Sequence, residues 1–216
     1  MSALLLKDFY MIRKYCRLQL ILTVVFIAGY ALGGPGNMSI FMLAYPIIMA
    51  AMIPYTLLAY EERDKWDVYA RSLPLSVRDL VAEKYILGLI MITAVSVIVV
   101  ILSFITGFLP ANAAAGSGRH LYQTVKLLPI LIAGGLLYQS LMMPAILHFG
   151  VEKGRYVYLG LLACFFAIFI ALQKDVADYI LLHTSGVRLW AIFPVFLIIY
   201  GLSFLLSVRL YSAKEL

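Results

Sequence analysis

Three histidines, two cysteines, one Glu-Glu pair and a scatter of hydroxyls are what this chain of 216 residues offers for group chemistry. A zinc site needs imidazoles or thiolates at short helical or turn spacing, as in HExxH, so that their lone pairs reach one ion. His120, His148 and His183 lie far apart and meet no such spacing. Cys16 and Cys164 form neither a CxxC pair nor a disulfide framework, and they read as small apolar residues. Glu61 and Glu62 invite comparison with intramembrane proteases that open on paired glutamates followed, four residues after the second, by arginine. That position is Trp66, and the membrane histidines that would complete such a site are missing. Thr93, Ser96, Ser103, Thr106 and Ser140 lack a local nucleophile signature; hydroxyls in such apolar surroundings bond back to helix carbonyls or join helices. No metal site and no catalytic residue is expected on this chain.

The elements around those residues are long and apolar. Runs at 18–32, 39–60, 86–109, 127–147, 156–172 and 189–208 hold no Asp, Glu, Lys, Arg or His until their last few positions. Each is roughly 15 to 24 residues, near the length that crosses a hydrocarbon layer of about 30 Å as a helix. With 64% hydrophobic residues and 13% charged, the chain lies outside the range of water-soluble domains, and the third and sixth runs lack the polar stripe that a soluble bundle would turn to solvent. The expected fold is all-α, a polytopic membrane protein of six transmembrane helices forming one unit over 1–216.

Charge sets the orientation, since Lys and Arg flanking spans are retained in the cytoplasm. One side collects thirteen bases: Lys7, Arg13, Lys14, Arg17, Arg63, Lys65, Arg71, Arg78, Lys84, Lys153, Arg155, Arg209 and Lys214. The other has four, Arg119, Lys126, Lys174 and Arg188. Both termini are therefore expected in the cytoplasm, and the net charge of +6 reflects this bias and attraction to anionic lipid rather than nucleic acid. No cleavable signal peptide is expected; residues 1–17 read as an amphipathic helix on the inner membrane face, with Leu5, Phe9, Ile12 and Cys16 on one side and Lys7, Lys14 and Arg17 on another. The spans contain no carboxylate at mid-membrane, which disfavours a proton- or sodium-driven carrier.

The stretch at 61–85 is the most specific. Glu61, Glu62, Asp64, Lys65 and Trp66 are expected to continue the second span as a helix into the cytosol until Ser72, Leu73 and Pro74 break it. Ser76 and Asp79 form a capping box that starts a second helix through Glu83, Lys84 and Tyr85 into the third span. The product is a hairpin whose first arm carries an apolar ridge, Trp66, Tyr69 and Leu73, among charges. Pro46 and Pro54 mark the second span as a candidate hinge, and Gly29 with Gly33 form a GxxxG pair suited to close packing within or between permeases. Beyond the fifth span, Asp175 is positioned to cap a short helix in an outer segment at 173–188.

In its acidic exit Glu61, Glu62, then Asp64, Lys65, Trp66, in Leu73, Pro74, Leu75 and in Lys84, Tyr85, the chain resembles the membrane subunit of a type-2 ATP-binding-cassette (ABC) exporter. It is similar to small Gram-positive permeases of that family, including those that export amphipathic, phenol-soluble-modulin-type peptides. The resemblance implies a basic amphipathic N-terminal helix, six spans in a bacterial plasma membrane, and a coupling hairpin (Glu61, Glu62, Asp64, Lys65, Trp66, Tyr69, Leu73, Pro74, Leu75) that docks on an ABC ATPase subunit. It also implies a second permease copy or paralogue, contact with membrane lipids and an amphipathic peptide substrate. The chain lacks the G-x-x-x-x-G-K-[ST] loop that cradles phosphates, so ATP and Mg belong to the partner ATPase and this subunit is not expected to be an enzyme. The reading of a different class is a membrane protein that senses, scaffolds or confers immunity without transporting.

Overall fold

In lipid an apolar run can satisfy its backbone only within a helix or a closed barrel, and every described element is helical. The computed structural model describes the backbone of residues 2–33, 39–70, 76–107, 117–183 and 186–214, with side chains mainly within 4–29, 43–66, 69–70, 76–105, 124–154 and 193–212. A bend at Cys16 separates α1 (Ser2–Tyr15) from α2 (Arg17–Gly33). Then come α3 (Ser39–Arg63), a short α4 (Trp66–Ala70), α5 (Val77–Gly107), α6 (Ser117–His183) and α7 (Gly186–Lys214). α6 is two helices joined at Gly150, where φ is 79° and ψ 170°, a combination open essentially to glycine alone.

Among the described residues four stretches are long and apolar enough to cross a membrane: Leu43–Arg63, Val77–Ile105, Thr124–Gly154 and Phe193–Ser212. They contain most of the second, third, fourth and sixth apolar runs. The chain is a multi-pass membrane protein. The described apolar part of α2, Arg17–Gly29, is shorter than a span, and the run at 156–172 is helical in its backbone but its side chains lie largely outside the described residues.

Packing follows from which apolar residues find partners inside. Leu43, Ile47 and Ala51 of α3 meet Ile92, Val95 and Val99 of α5 and Leu128, Ile132 and Leu136 of α6 in one core, which Ile27 of α2 and Tyr200 of α7 complete. Gly135 faces this contact with little room to spare: a methyl added there would meet Ile47 at 3.4 Å and Ile92 at 3.5 Å, ordinary van der Waals contact. The outward faces are as apolar as the core, with Val24, Val25, Val97, Ile98, Ile101, Ile198, Leu202 and Leu205 all exposed. Aqueous exposure of so much apolar surface would be unfavourable; against acyl chains it costs nothing.

Hydroxyls along the spans, exposed as at Thr93 or buried as at Ser96, do what their surroundings dictate. Thr93 and Ser96 bond back to the carbonyls of Leu89 and Ile92. Thr124 donates to Ser103 across α6 and α5, and Ser203 of α7 donates to the Ser140 carbonyl of α6. Pro46 and Pro54 are buried within α3, which runs on as one element through both. Beside Pro54, Gln19 of α2 donates to the Met49 carbonyl and Thr56 bonds both Met52 O and Gln19 Oε1.

Three expectations are corrected. The second span does not continue as one helix to residue 71: α3 stops at Arg63, Asp64 and Lys65 form a turn, and α4 starts at Trp66. Lys65 adopts φ 54° and its N–H returns to the Glu62 carbonyl, a left-handed helix cap formed by a residue other than the usual glycine. The outer segment holds no separate helix capped by Asp175, because α6 is helical through His183 with its only break at Gly150; no glycine or proline lies between Leu172 and Asp175 to stop it. On α1 the buried row is Leu4, Asp8, Ile12 and Cys16, while Phe9 is exposed and Lys7 turns into the bundle, for the reason given below. Leu73, Pro74 and Leu75 lie outside the described residues, as do the surroundings of Gly33.

Gly88 offers a test of the α5–α6 contact. A methyl there would fall 1.8 Å from the buried Gln139 amide, which donates to the Lys84 carbonyl. Gly88→Ala is expected to cost about 1–3 kcal/mol through overpacking, read as a lower melting temperature in detergent. Adding Gln139→Ala should recover much of the loss; melting unchanged by Gly88→Ala alone would show that the two helices have room to spare.

Candidate coupling site

α1 is held down by two kinds of contact. Ile12 and Cys16 pack on Ile53 and Leu57 of α3 and Leu87 of α5, and that burial pushes the Cys16 thiol up to about 11, leaving it an inert packing group. One turn before Ile12, Asp8 shares the buried row and must find a cation, since an unpaired carboxylate there is prohibitively costly. Lys84 of α5 supplies it. Its Nζ donates to Asp8 Oδ2 at 2.7 Å and to Glu61 Oε1 at 2.8 Å. Lys7 donates to the same Glu61 oxygen and stands 3.2 Å from Asp8 Oδ1. Glu83 Oε1 lies 3.8 Å from each lysine. Asp8, Glu61, Glu83 and Lys84 are all buried. Three carboxyls thus face two ammonium groups; Asp8 Oδ1 and Glu83 Oε1 accept no hydrogen bond, and burial pushes the Glu83 carboxyl up to about 7.

This cluster joins the middle of α1 to the end of α3 and the second turn of α5. Aromatic contacts extend the join: Tyr15 stacks on Tyr60 with centroids 4.2 Å apart, and Arg63 lies 4.9 Å over the Tyr60 ring. Lys7 Nζ also sits 4.3 Å over the ring of Trp66, the first residue of α4, and Trp66 contacts Tyr69 at 5.1 Å. Trp66 is therefore half-buried against the bundle, while Tyr69 is 57% exposed. Asp64 is exposed and pairs with Arg63; Lys65 is exposed. Glu61 belongs to the ion cluster, and Glu62 accepts the backbone N–H of Val151 in α6 at 2.7 Å.

Beneath the cluster a polar seam ties α5 to α6 and α7. Tyr85 O–H bonds Ser203 and Ser207 at 2.8 and 2.7 Å, and Tyr200 O–H donates to the Tyr85 carbonyl at 2.7 Å. Ser76 Oγ accepts the Asp79 N–H at 3.2 Å and donates to the Asp79 carboxylate at 2.6 Å, so the serine half of the capping box forms at the start of α5. A cavity of about 100 Å³ lies at this end, bounded by Glu61, Glu62, Trp66, Lys84 and Gly150. It is too small for a substrate site, since such sites typically span about 300–1,000 Å³. A larger open groove of about 460 Å³ runs between α6 and α7, lined by Pro144, Phe149, Leu202 and Leu206, with Ser140 and Ser203 as its hydroxyls. Among the described residues no group of three or more His, Cys, Asp and Glu side chains could hold a metal.

A bundle of apolar helices whose charges gather at one end matches the family model of ABC-2 family transporter proteins over residues 3–212. The chain belongs to the ABC-2 transporter family. No curated protein and no solved structure matches it. As an ABC-2 family protein it is the membrane subunit of an ABC transporter, a permease type that is generally non-catalytic, and the family implies an ABC ATPase as partner. Sequence reasoning about this ABC-2 permease missed Asp8, Glu83 and Lys84 as a joint site. The signal was an Asp placed in the i, i+4 row between Leu4 and Ile12, where an amphipathic helix should be apolar.

Proposed function

We propose that this ABC-2 permease is the membrane-spanning half of an ATP-driven exporter, with six crossing helices and both termini in the bacterial cytoplasm. It works beside a second copy or paralogue and two ATPases, which bind ATP and Mg, and it moves amphipathic peptides or similarly apolar substrates. The observation that supports coupling is the ion cluster of Lys7, Asp8, Glu61, Glu83 and Lys84, which binds three helices together one turn from the segment carrying Trp66 and Tyr69. A push on α4 then moves α3, α5 and α1 as a unit, with Pro46 and Pro54 of α3 as the hinge through which the pathway responds. Glu61, Glu62 and the turn at Asp64 and Lys65 set the angle of the docking arm, whose remaining contact residues are Leu73, Pro74 and Leu75. Gly29 and Gly33 supply a close-packing face on α2.

The charge-poor groove between α6 and α7 favours an apolar surface with a few hydroxyl contacts over a strongly charged solute. Co-expressed with its ATPase and reconstituted in vesicles, the complex is expected to hydrolyse ATP faster when amphipathic helical peptides are added. Sugars and metal ions should leave the rate unchanged. Stimulation by a sugar or an ion alone would overturn the substrate class, and a permease that never associates with an ATPase would overturn the exporter reading.

A further inference from the structure

Glu61 and Glu62 are neighbours on the last turn of α3, yet they serve different helices. Glu61 joins the ion cluster with α1 and α5. Glu62 Oε2 instead accepts the N–H of Val151, the first residue beyond the break in α6. Its other oxygen is just as close to the break: a methyl built on Gly150 would stand 3.0 Å from Glu62 Oε1.

A helix that starts at residue 151 presents N–H groups with no intrahelical acceptor and the positive end of its dipole. Gly150 has no side chain with which to cap them. The carboxylate that does so comes from another helix, and it satisfies both needs with one acceptor and one negative charge. Glu62 itself is exposed, but the backbone at this corner is closely packed. Four residues on, a methyl at Gly154 would stand 2.8 Å from the Ile146 Cα and 3.0 Å from the Ala145 carbonyl, so the second arm of α6 folds back with its backbone almost against the first. The positive φ of Gly150 sets the reversal, Gly154 lets the arms touch, and Glu62 fixes the start of the returning arm to the end of α3. α4 packs on α3 and begins one turn after Glu62.

We infer that Glu62 is a positioning residue: by capping the helix that begins at Val151 it makes the second arm of α6 follow the end of α3, and so carries a displacement of α4 to residues 151–183. This rests on α4 being where the ATPase docks. Glu61 and Glu62 then divide one movement between two destinations, the α1–α5 unit and the returning arm of α6. The role calls for a carboxylate or an amide oxygen of the same reach at position 62, and for glycine at 150.

Two measurements test it. On the full chain in lipid nanodiscs without ATPase, Glu62→Ala should speed hydrogen exchange at Val151 and the next amides by about tenfold, the scale of losing one helix cap. Glu62→Gln, which keeps an acceptor oxygen, should restore most of the protection. Unchanged exchange at Val151 would overturn the inference. In vesicles with the ATPase at saturating concentration, Glu62→Ala should lower transport per ATP hydrolysed about fivefold, a ratio that does not depend on how much ATPase is bound, and Glu62→Gln should recover at least half of the ratio. Loss of ATPase affinity with exchange unaltered would make Glu62 a docking contact and sink the inference. Altered exchange with an unaltered transport ratio would sink it too. A parent chain that binds no ATPase would count against the docking reading instead, and the exchange result alone would then uphold or overturn the cap.

Discussion

Lys84→Met is expected to be the most damaging single substitution in this permease. It leaves Asp8, Glu61 and Glu83 buried around Lys7 as their sole cation. Removing one partner from a buried ion cluster costs about 3–5 kcal/mol, mostly because the remaining charges stay desolvated and unpaired. For a chain of this size that corresponds to a melting temperature lower by roughly 10 °C, read from intrinsic tryptophan fluorescence in detergent. Methionine keeps much of the lysine stem's volume, so packing is not the main loss. The origin of the cost can be separated: adding Asp8→Asn and Glu61→Gln to Lys84→Met removes the orphaned charges and should return more than half of the stability. A Lys84→Met chain melting within about 2 °C of the parent would show that the cluster is hydrated and cheap to break.

Tyr69→Ala should lower melting by less than about 4 °C and weaken ATPase association by about 10- to 100-fold, since a fully buried aromatic is worth about 1.5–3 kcal/mol. Tyr69 touches Trp66 within the chain and is the more exposed part of the ridge, so on the docking reading its outer face is the one that meets the ATPase. Trp66→Ala should lower ATPase affinity and stability together, because Trp66 also lies under the Lys7 ammonium, a contact worth about 0.5–2 kcal/mol. Fluorescence titration of the reconstituted permease with its ATPase measures the first effect and thermal unfolding the second. If Tyr69→Ala binds ATPase and drives transport like the parent, the ridge belongs to the lipid headgroups.

Long apolar runs made most of the architecture legible, because a stretch such as 86–109 can satisfy its backbone only as a helix. The capping box at Ser76 and Asp79 was equally legible, since both partners lie within one turn and need no tertiary context. The end of α3 was harder. Asp64 and Lys65 are ordinary helix-compatible residues, and nothing local announces the left-handed turn that leads into Trp66 under Lys7. The ion cluster was least legible. Lys7-Asp8 and Glu83-Lys84 are opposite-sign doublets that look self-neutralising in one dimension, and in three each residue meets partners on other helices. Likewise Glu62 reads as a solvated charge until Gly150 brings an uncapped helix to it.

The pairing of Asp8 with Lys84 also has a consequence for biosynthesis. The two are separated by 76 positions in the chain. At about 5–20 residues per second, Asp8 joins the chain roughly 4–15 s before Lys84. Glu61, the partner of Lys7, arrives earlier, and until α5 follows Asp8 has only the neighbouring Lys7 as a cation. α1 is therefore made before α3 and α5 but completes its ion pairs only after both, and a nascent chain with the whole cluster formed already contains α3 and the start of α5.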